Sequence, residues 1–135
     1  MELTERRLTR LEYQQVRVFC KRYPEMKSQA AQLLGVGAQN YDPMPHGKGI
    51  PSDPVSAAAM RRLKLLENVG IIEGAAQAID GGCWVRALIL NACYGVSWEK
   101  LPAETMRSSD RNTFFRIRRA FFNLIWERWD GGGRV

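Results

Sequence analysis

The sequence predicts an all-α protein: a helical bundle with a long central helix and a C-terminal helix-turn-helix. Three observations support this. Apolar residues recur every three or four positions in several segments, which is the period of one helix face. No segment alternates apolar and polar residues as a half-buried strand would. Glycine and proline interrupt the pattern at intervals and divide it into separate helices.

The first two predicted helices lie near the N-terminus. Apolar residues at roughly helical spacing predict a helix from Thr4 to about Arg22. The dipeptide Tyr23-Pro24 should interrupt it, because the residue before a proline disfavours the α region. Pro24 can then begin a second, shorter helix that Gly35 ends.

Residues 35–54 contain four Gly and four Pro without any period, and we predict a loop there. The Gly47-Lys48 pair suggests a phosphate-binding loop of the G-x-x-x-x-G-K-[ST] type. That reading fails, because Asp42 and Gly49 occupy the first and last positions of the pattern.

A long helix is predicted from Ser52-Asp53-Pro54, which supplies an N-cap followed by proline, to about Ile79. At 1.5 Å per residue it would span about 40 Å and form the spine of the fold. Its apolar stripe could pack on the other helices, which is the default expectation, or form a dimer seam. The stripe consists of Val55, Ala59, Leu63, Leu66, Val69, Ile72, Ala76 and Ile79.

A short helix and a turn precede the last helix. Two glycines after Asp80 should end the long helix, and a helix from Cys83 to Tyr94 should follow, ending at Gly95. The sequence SWEKL, residues 97–101, predicts a single capped turn or two. This order is typical of a helix-turn-helix: a helix, a glycine turn, a short helix, a connector and a basic helix.

The last helix is predicted to begin after a cap at Ser108 or Ser109 and to reach about Trp129. Its core side should consist of Phe114, Ile117, Phe121, Leu124 and Ile125. The expected organisation is therefore three parts: N-terminal helices over residues 1–80, a helix-turn-helix region over residues 83–130, and a flexible tail over residues 131–135.

The 135 residues include 20 Lys and Arg against 14 Asp and Glu, a formal charge of +6. The excess lies at the ends. Residues 1–34 contain seven basic and four acidic groups, residues 35–106 six and seven, and residues 107–135 seven and three. Like charges packed together need solvent or a matching anion. The C-terminal cluster is therefore the first candidate for a surface that faces phosphate.

Several protein classes are disfavoured. No apolar run reaches the roughly 20 residues that span a bilayer, and the charged N-terminus has no signal-peptide core, so we expect a cytoplasmic protein. The 3 Cys are too few and too dispersed for a disulfide framework. No acid pair, Cys–His arrangement or metal-ligand set is evident, so we expect no enzyme activity, no metal and no cofactor. His46 is expected to be a solvated loop residue.

The polar side of the last helix carries residue types that suit DNA. A helical wheel places arginines and an asparagine away from the core positions. Arginine can donate two hydrogen bonds to a phosphate or to the edge of a guanine, and asparagine can pair with the edge of an adenine. A serine at the helix start can help to bind phosphate, because free backbone N–H groups point outward there. The predicted DNA-binding residues are Ser109, Arg111, Asn112, Arg116 and Arg119.

A second apolar stripe lies beside these arginines on the wheel, and it predicts an interface because exposed aromatic patches usually mark one. The N-terminal helices, a second subunit or a partner such as RNA polymerase could cover it. We favour coverage by the protein itself or by a dimer mate. The predicted interface residues are Phe115, Phe122, Trp126 and Trp129.

Four stretches also give the chain a family resemblance. They are Arg22-Tyr23-Pro24, Pro51-Ser52-Asp53-Pro54, residues 94–101, and Ser109-Asp110-Arg111 leading into residues 113–119. In this order and spacing they resemble small phage-encoded transcriptional regulators of the RinA/ArpU type. The resemblance implies a helix-turn-helix like that of sigma-70 region 4, sequence-specific binding to double-stranded DNA, and activation of late or packaging genes. It also implies association with the nucleoid of a bacterial host, and host RNA polymerase as a partner.

Two other functions remain open. A DNA-packaging protein resembling a terminase small subunit would also use a helix-turn-helix, but assembled as a ring. The other is a helix-turn-helix that binds a protein and inhibits it, for example a host or defence protein. Such a protein would use the aromatic stripe. A monomer or homodimer in solution would favour the regulator over the ring.

Overall fold

The computed structural model of the chain describes residues 8–39, 54–102 and 110–129. These residues are all-α, as predicted, and contain no strand. Two one-turn 3₁₀ helices, Asp80–Gly82 and Trp98–Lys100, lie between the longer elements. The α-helices are α1 (Arg10–Lys21), α2 (Tyr23–Gln39), α3 (Pro54–Gln77), α4 (Val85–Tyr94) and α5 (Arg111–Arg128).

A reciprocal capping box begins α1. The Glu12 backbone N–H donates to the Thr9 hydroxyl at 3.1 Å, and the Thr9 N–H donates to the Glu12 carboxylate at 2.9 Å. Thr9 has extended backbone, so a continuous helix from Thr4 is wrong. Arg22 separates α1 from α2, so the two helices are distinct as predicted. The break lies before Tyr23-Pro24 and not at it, because Tyr23 already belongs to α2.

Helix α2 extends beyond its predicted end. The sequence predicts a stop at Gly35, but residues 35–39 continue the helix to Gln39. A glycine inside a helix costs only about 1 kcal/mol relative to alanine, and it ends a helix chiefly where the backbone turns left-handed. The rest of the predicted loop, residues 40–53, lies outside the described residues, together with His46.

The chain divides into two compact units. One consists of residues 1–24 and 70–135, and the other of residues 25–69. The boundaries fall inside α2 and α3, so this grouping differs from the division that the sequence suggests at residues 80–83. The predicted tail, residues 131–135, lies outside the described residues.

Only part of the predicted apolar stripe of α3 is buried. Leu63 and Leu66, in the unit of residues 25–69, are 60% and 37% exposed. Within that unit the Arg62 Nε donates to the Ala30 carbonyl at 3.2 Å. At 24 residues α3 is the longest of the described helices, and its predicted stripe is buried only toward its C-terminal end. The members that are buried are Val69, Ile72, Ala76 and Ile79.

A left-handed turn separates α3 from α4. Asp80 and Gly81 have φ of 49° and 68°, and the Trp84 indole N–H donates to the Asp80 carboxylate at 3.2 Å. Positive φ is costly for a residue with a side chain, and this hydrogen bond helps to hold Asp80 there. Because the turn occupies these positions, α4 begins at Val85 and not at Cys83 as predicted.

The end of α4 follows the prediction. Gly95 has φ of 74°, the left-handed conformation that glycine adopts without strain, and its N–H donates to the Leu90 carbonyl. Trp98–Lys100 then forms the single short turn expected of residues 97–101. Ser97 precedes that turn but makes no side-chain cap hydrogen bond, so the predicted capping is wrong.

Helix α5 is the most buried helix of the unit formed by residues 1–24 and 70–135. It has eight buried residues, whereas α1 and α4 have three each. α1 packs against both α4 and α5. The predicted core side of α5 is confirmed at Phe114, Ile117, Phe121 and Ile125, and Leu124 is half-buried. A fixed apolar side determines which residues α5 presents to solvent.

Candidate nucleic-acid interface

Asp110 caps the N-terminus of α5. Its carboxylate accepts a hydrogen bond from the Thr113 backbone N–H at 2.8 Å. Hydrogen bonds from the side chain and backbone of Thr113 hold the pKa of the Asp110 carboxyl below its usual value. The predicted cap at Ser108 or Ser109 is therefore wrong. Ser109 lies outside the described residues, so its phosphate contact stays a prediction.

The four other predicted DNA-binding residues are all exposed, and they lie on the first three turns of α5. They are Arg111, Asn112, Arg116 and Arg119. Asn112, Arg116 and Arg119 are spaced by four and three residues, so they share one helix face. The rise from the first to the last is about 10 Å. The structure thus brings together an unbroken row of one asparagine and two arginines.

Arg111 lies outside this row and forms an ion pair with a carboxylate. Its Nη1 donates to the Glu99 carboxylate at 3.1 Å, and both side chains are about 60% exposed. Its guanidinium also lies 5.4 Å from the centre of the Phe115 ring. The pair joins the turn after α4 to the start of α5. An exposed ion pair of this kind contributes at most about 1 kcal/mol, so another anion can compete for Arg111.

No ion pair involves Arg116 or Arg119 in the part of the chain that the structure describes. Both side chains are exposed. The Asp110 carboxylate lies near enough for the Arg116 charge to help lower the Asp110 pKa, without forming an ion pair. The opposite side of the helix is anchored: Phe114 is fully buried, and its ring lies 6.3 Å from that of Trp84. This places two exposed guanidinium groups, neither in an ion pair with a described residue, on a helix whose orientation the core determines.

Asn91 holds the turn after α4. Its Nδ2 donates to the Val96 carbonyl at 2.9 Å, and the Val96 N–H donates to the Leu90 carbonyl at 3.0 Å. The Asn91 Oδ1 accepts a hydrogen bond from Arg118 at 3.0 Å. One amide side chain therefore connects the turn to α5.

Sequence reasoning missed Arg118. Its Nη2 donates to the Tyr13 hydroxyl at 2.9 Å, so it joins α5 to α1 as well as to α4. Its guanidinium lies 4.6 Å from the centre of the Phe115 ring and 5.3 Å from that of Phe122. Burial lowers the pKa of this guanidinium. The available signal was its place on the wheel, within the aromatic stripe and away from Arg116 and Arg119.

The chain itself covers the middle of the aromatic stripe. Phe122 and Trp126 are only 2% and 6% exposed. The Tyr13 ring of α1 meets the Phe122 ring edge-on, with centroids 5.4 Å apart. The prediction of these two residues as interface residues is therefore corrected. They belong to the core. For Phe122, α1 supplies covering through Tyr13, which is one of the three candidates that the sequence left open.

The two ends of the stripe are half-buried. Trp129 stacks on Phe19 of α1, with ring centroids 4.1 Å apart and an interplanar angle of 13°. Phe115 lies between the guanidinium groups of Arg111 and Arg118. Both rings thus have partners within the chain, while part of each surface stays accessible.

Two of the three cysteines meet in the core. Cys20 of α1 and Cys93 of α4 are buried, whereas Cys83 is exposed. A hydrogen bond between the two buried thiols, together with burial, raises the pKa of the Cys20 thiol well above its ordinary value. A thiol held neutral is a poor nucleophile, so the pair has a packing role.

Comparison with protein-family models, with curated proteins and with solved structures found no match to this chain. Across the described ranges, no helix is long and apolar enough to cross a membrane. In the same ranges, no three His, Cys, Asp or Glu side chains lie close enough together to hold a metal ion. The exposed row on α5 is the candidate functional site.

Proposed function

We propose that this protein is a sequence-specific DNA-binding transcriptional regulator that inserts the first turns of α5 into the major groove. One observation supports the proposal most strongly. Asn112, Arg116 and Arg119 lie in an exposed row, and the opposite face of the same helix is fixed in the core. A rigid helix with polar, cationic residues near its N-terminus is what a helix-turn-helix uses to read DNA.

The dimensions of the row suit the groove. The major groove is about 12 Å wide and admits an α-helix. The row rises about 10 Å along the axis, which corresponds to about three base pairs at 3.4 Å each. Arg116 and Arg119 can then bind phosphates or guanine edges, and Asn112 can pair with an adenine edge.

Arg111 has a different part in this proposal. Its pair with Glu99 means that a DNA phosphate must compete with a carboxylate already 3.1 Å away. Arg116 and Arg119 form no ion pair within the described residues, and Asp110 interacts with the Arg116 charge only at longer range. Most of the electrostatic attraction should therefore come from these two residues.

The resemblance to regulators of the RinA/ArpU type gives the proposal its biological setting. On that basis the protein is phage-encoded, acts on late or packaging genes, and works with host RNA polymerase at the nucleoid of the bacterial host, as a monomer or homodimer. The protein-binding alternative loses support, because the centre of the aromatic stripe on which it rests is buried within the chain.

The test is the salt dependence of binding to duplex DNA, measured by fluorescence anisotropy. Each phosphate neutralised contributes about 0.9 to the slope of log affinity against log salt. If both arginines bind phosphate, the Arg116→Ala/Arg119→Ala variant should lose about 1.8 from that slope. The matched control is Arg128→Ala, which removes an exposed arginine from the other end of α5 and should leave the slope unchanged.

Equal binding by the double variant and the parent chain would contradict the proposal. The packaging alternative is separated by mass in solution. A ring of many copies would support packaging, whereas a monomer or homodimer agrees with a regulator.

A further inference from the structure

A cavity of about 220 Å³ lies between α1 and α5. It shares Arg119, but neither Asn112 nor Arg116, with the proposed DNA-reading row. Aromatic rings form its apolar walls and two arginines bring positive charge to it. Its lining includes Tyr13, Phe115, Arg118, Arg119, Phe122 and Asn123. An apolar cavity with a few convergent polar groups is the usual form of a small-molecule site.

The charge in this cavity is not neutralised by the described residues. Arg118 is half-buried, and its two hydrogen bonds go to neutral acceptors, the Asn91 amide and the Tyr13 hydroxyl. No carboxylate forms an ion pair with Arg118 or Arg119 in the described ranges. Arg17 lies near enough for its charge to lower the pKa of the Arg118 guanidinium further. Buried charges are normally paired, so this arrangement favours an anion.

Donors for such an anion are present. A guanidinium group has five N–H donors, and Arg118 uses one each on Asn91 and Tyr13. Arg119 adds a second guanidinium at the rim of the same cavity. Two neighbouring arginines can bind a carboxylate or phosphate through charge-assisted hydrogen bonds.

The walls specify the rest of the ligand. Phe115 and Phe122 already lie against the Arg118 guanidinium, at 4.6 and 5.3 Å, and Tyr13 packs edge-on against Phe122. A flat apolar body would complete these aromatic contacts. A cavity of about 150 Å³ holds benzene, so about 220 Å³ leaves room for one ring with an oxyanion attached.

We propose that this cavity binds a small ligand consisting of one planar apolar ring and one oxyanion, with Arg118 and Arg119 on the oxyanion and the aromatic residues on the ring. The inference does not depend on DNA binding, because all of its features lie inside the cavity. Such a ligand would contact α1 and α5 together and would favour their packed state.

Benzoate is the probe, with benzamide as its neutral counterpart of the same shape. Ligand-observed NMR measures the affinity, and thermal unfolding measures stabilisation, both without DNA and at ionic strength matched with sodium chloride. We expect benzoate to bind and to raise the unfolding midpoint, and benzamide to bind at least about tenfold more weakly, a difference of about 1.4 kcal/mol.

Arg119→Gln removes one cation from the cavity rim without disturbing the core, because Arg119 is exposed. It should weaken benzoate binding about tenfold or more. Arg118→Lys keeps the charge but loses the planar guanidinium that binds an oxyanion through two hydrogen bonds, so it should weaken benzoate binding as well. Arg128→Gln is the matched control and should bind like the parent chain. Equal binding of benzoate and benzamide, or unchanged benzoate binding in Arg119→Gln, would overturn the inference.

Discussion

Replacing Phe122 by alanine tests whether α1 covers the aromatic stripe. The side chain is 2% exposed, and its ring contacts Tyr13 and the Arg118 guanidinium. Truncation of a buried phenylalanine to alanine costs about 3–5 kcal/mol. Of that, about 0.5–1.5 kcal/mol reflects the aromatic pair with Tyr13. We expect Phe122→Ala to lower the free energy of unfolding by about 4 kcal/mol.

Urea unfolding followed by circular dichroism measures this change, with the midpoint and slope fitted together. Leu11→Ala is the control, because Leu11 lies on the same α1 but is 70% exposed, and it should change stability by no more than about 0.5 kcal/mol. A loss below about 1 kcal/mol for Phe122→Ala would refute the packing of α1 on the stripe.

Three further outcomes follow from the structure. Thr9→Ala should lower the free energy of unfolding, measured in urea, by about 1 kcal/mol, because it removes the α1 cap. Thr9→Asp should retain most of the stability that the cap contributes. Equal stability of the two variants would contradict the capping role. Of the three thiols, only Cys83 should react quickly with a disulfide reagent, since Cys20 and Cys93 are buried; fast release of three equivalents would show that the core pair is accessible. The pKa of the Asp110 carboxyl is lowered, so its contribution to stability is present above the unfolded pKa of about 3.9 and is lost as the pH falls through the folded pKa. Asp110→Asn caps the helix without titrating and should therefore lose less helix in acid. An identical acid transition in the two chains would contradict this.

The sequence predicts α5 well because its pattern is strong and local. Phe114, Ile117 and Phe121 recur at helical spacing and all are buried. The stop at Gly95 also succeeded, because that position takes the left-handed backbone that favours glycine. These features depend on neighbours within a few residues, which is the information that spacing contains.

The prediction was wrong where tertiary context decides. Gly35 continues α2, although a glycine at that place in the pattern looks like a stop. Leu63 and Leu66 fit the α3 stripe but are exposed, because periodicity shows that a helix is amphipathic without showing what covers it. The cap of α5 is Asp110 and not a serine, since both residue types are suitable and only the backbone selects one.

In the candidate site, too, features set by local spacing could be predicted and features set by tertiary contacts could not. The exposed positions of Arg116 and Arg119 follow from the wheel, because the core side of α5 was identified correctly. The contacts of Arg118 with Tyr13 and Asn91 could not be predicted, since they join residues 105 and 27 positions apart. Tyr13 and Arg118 both line the cavity, and nothing in local spacing encodes a pair this far apart in the chain.

The most direct measurement of the central claim is an NMR titration of the isotope-labelled protein with duplex DNA. We expect backbone amide shifts to change most in the first turns of α5, residues 111–119, and next in the turn at residues 98–100. Residues 60–66 of α3, which are equally assignable but carry no part of the proposed interface, should stay unchanged. Shifts centred on α3, or no change with any duplex under low salt, would contradict the account.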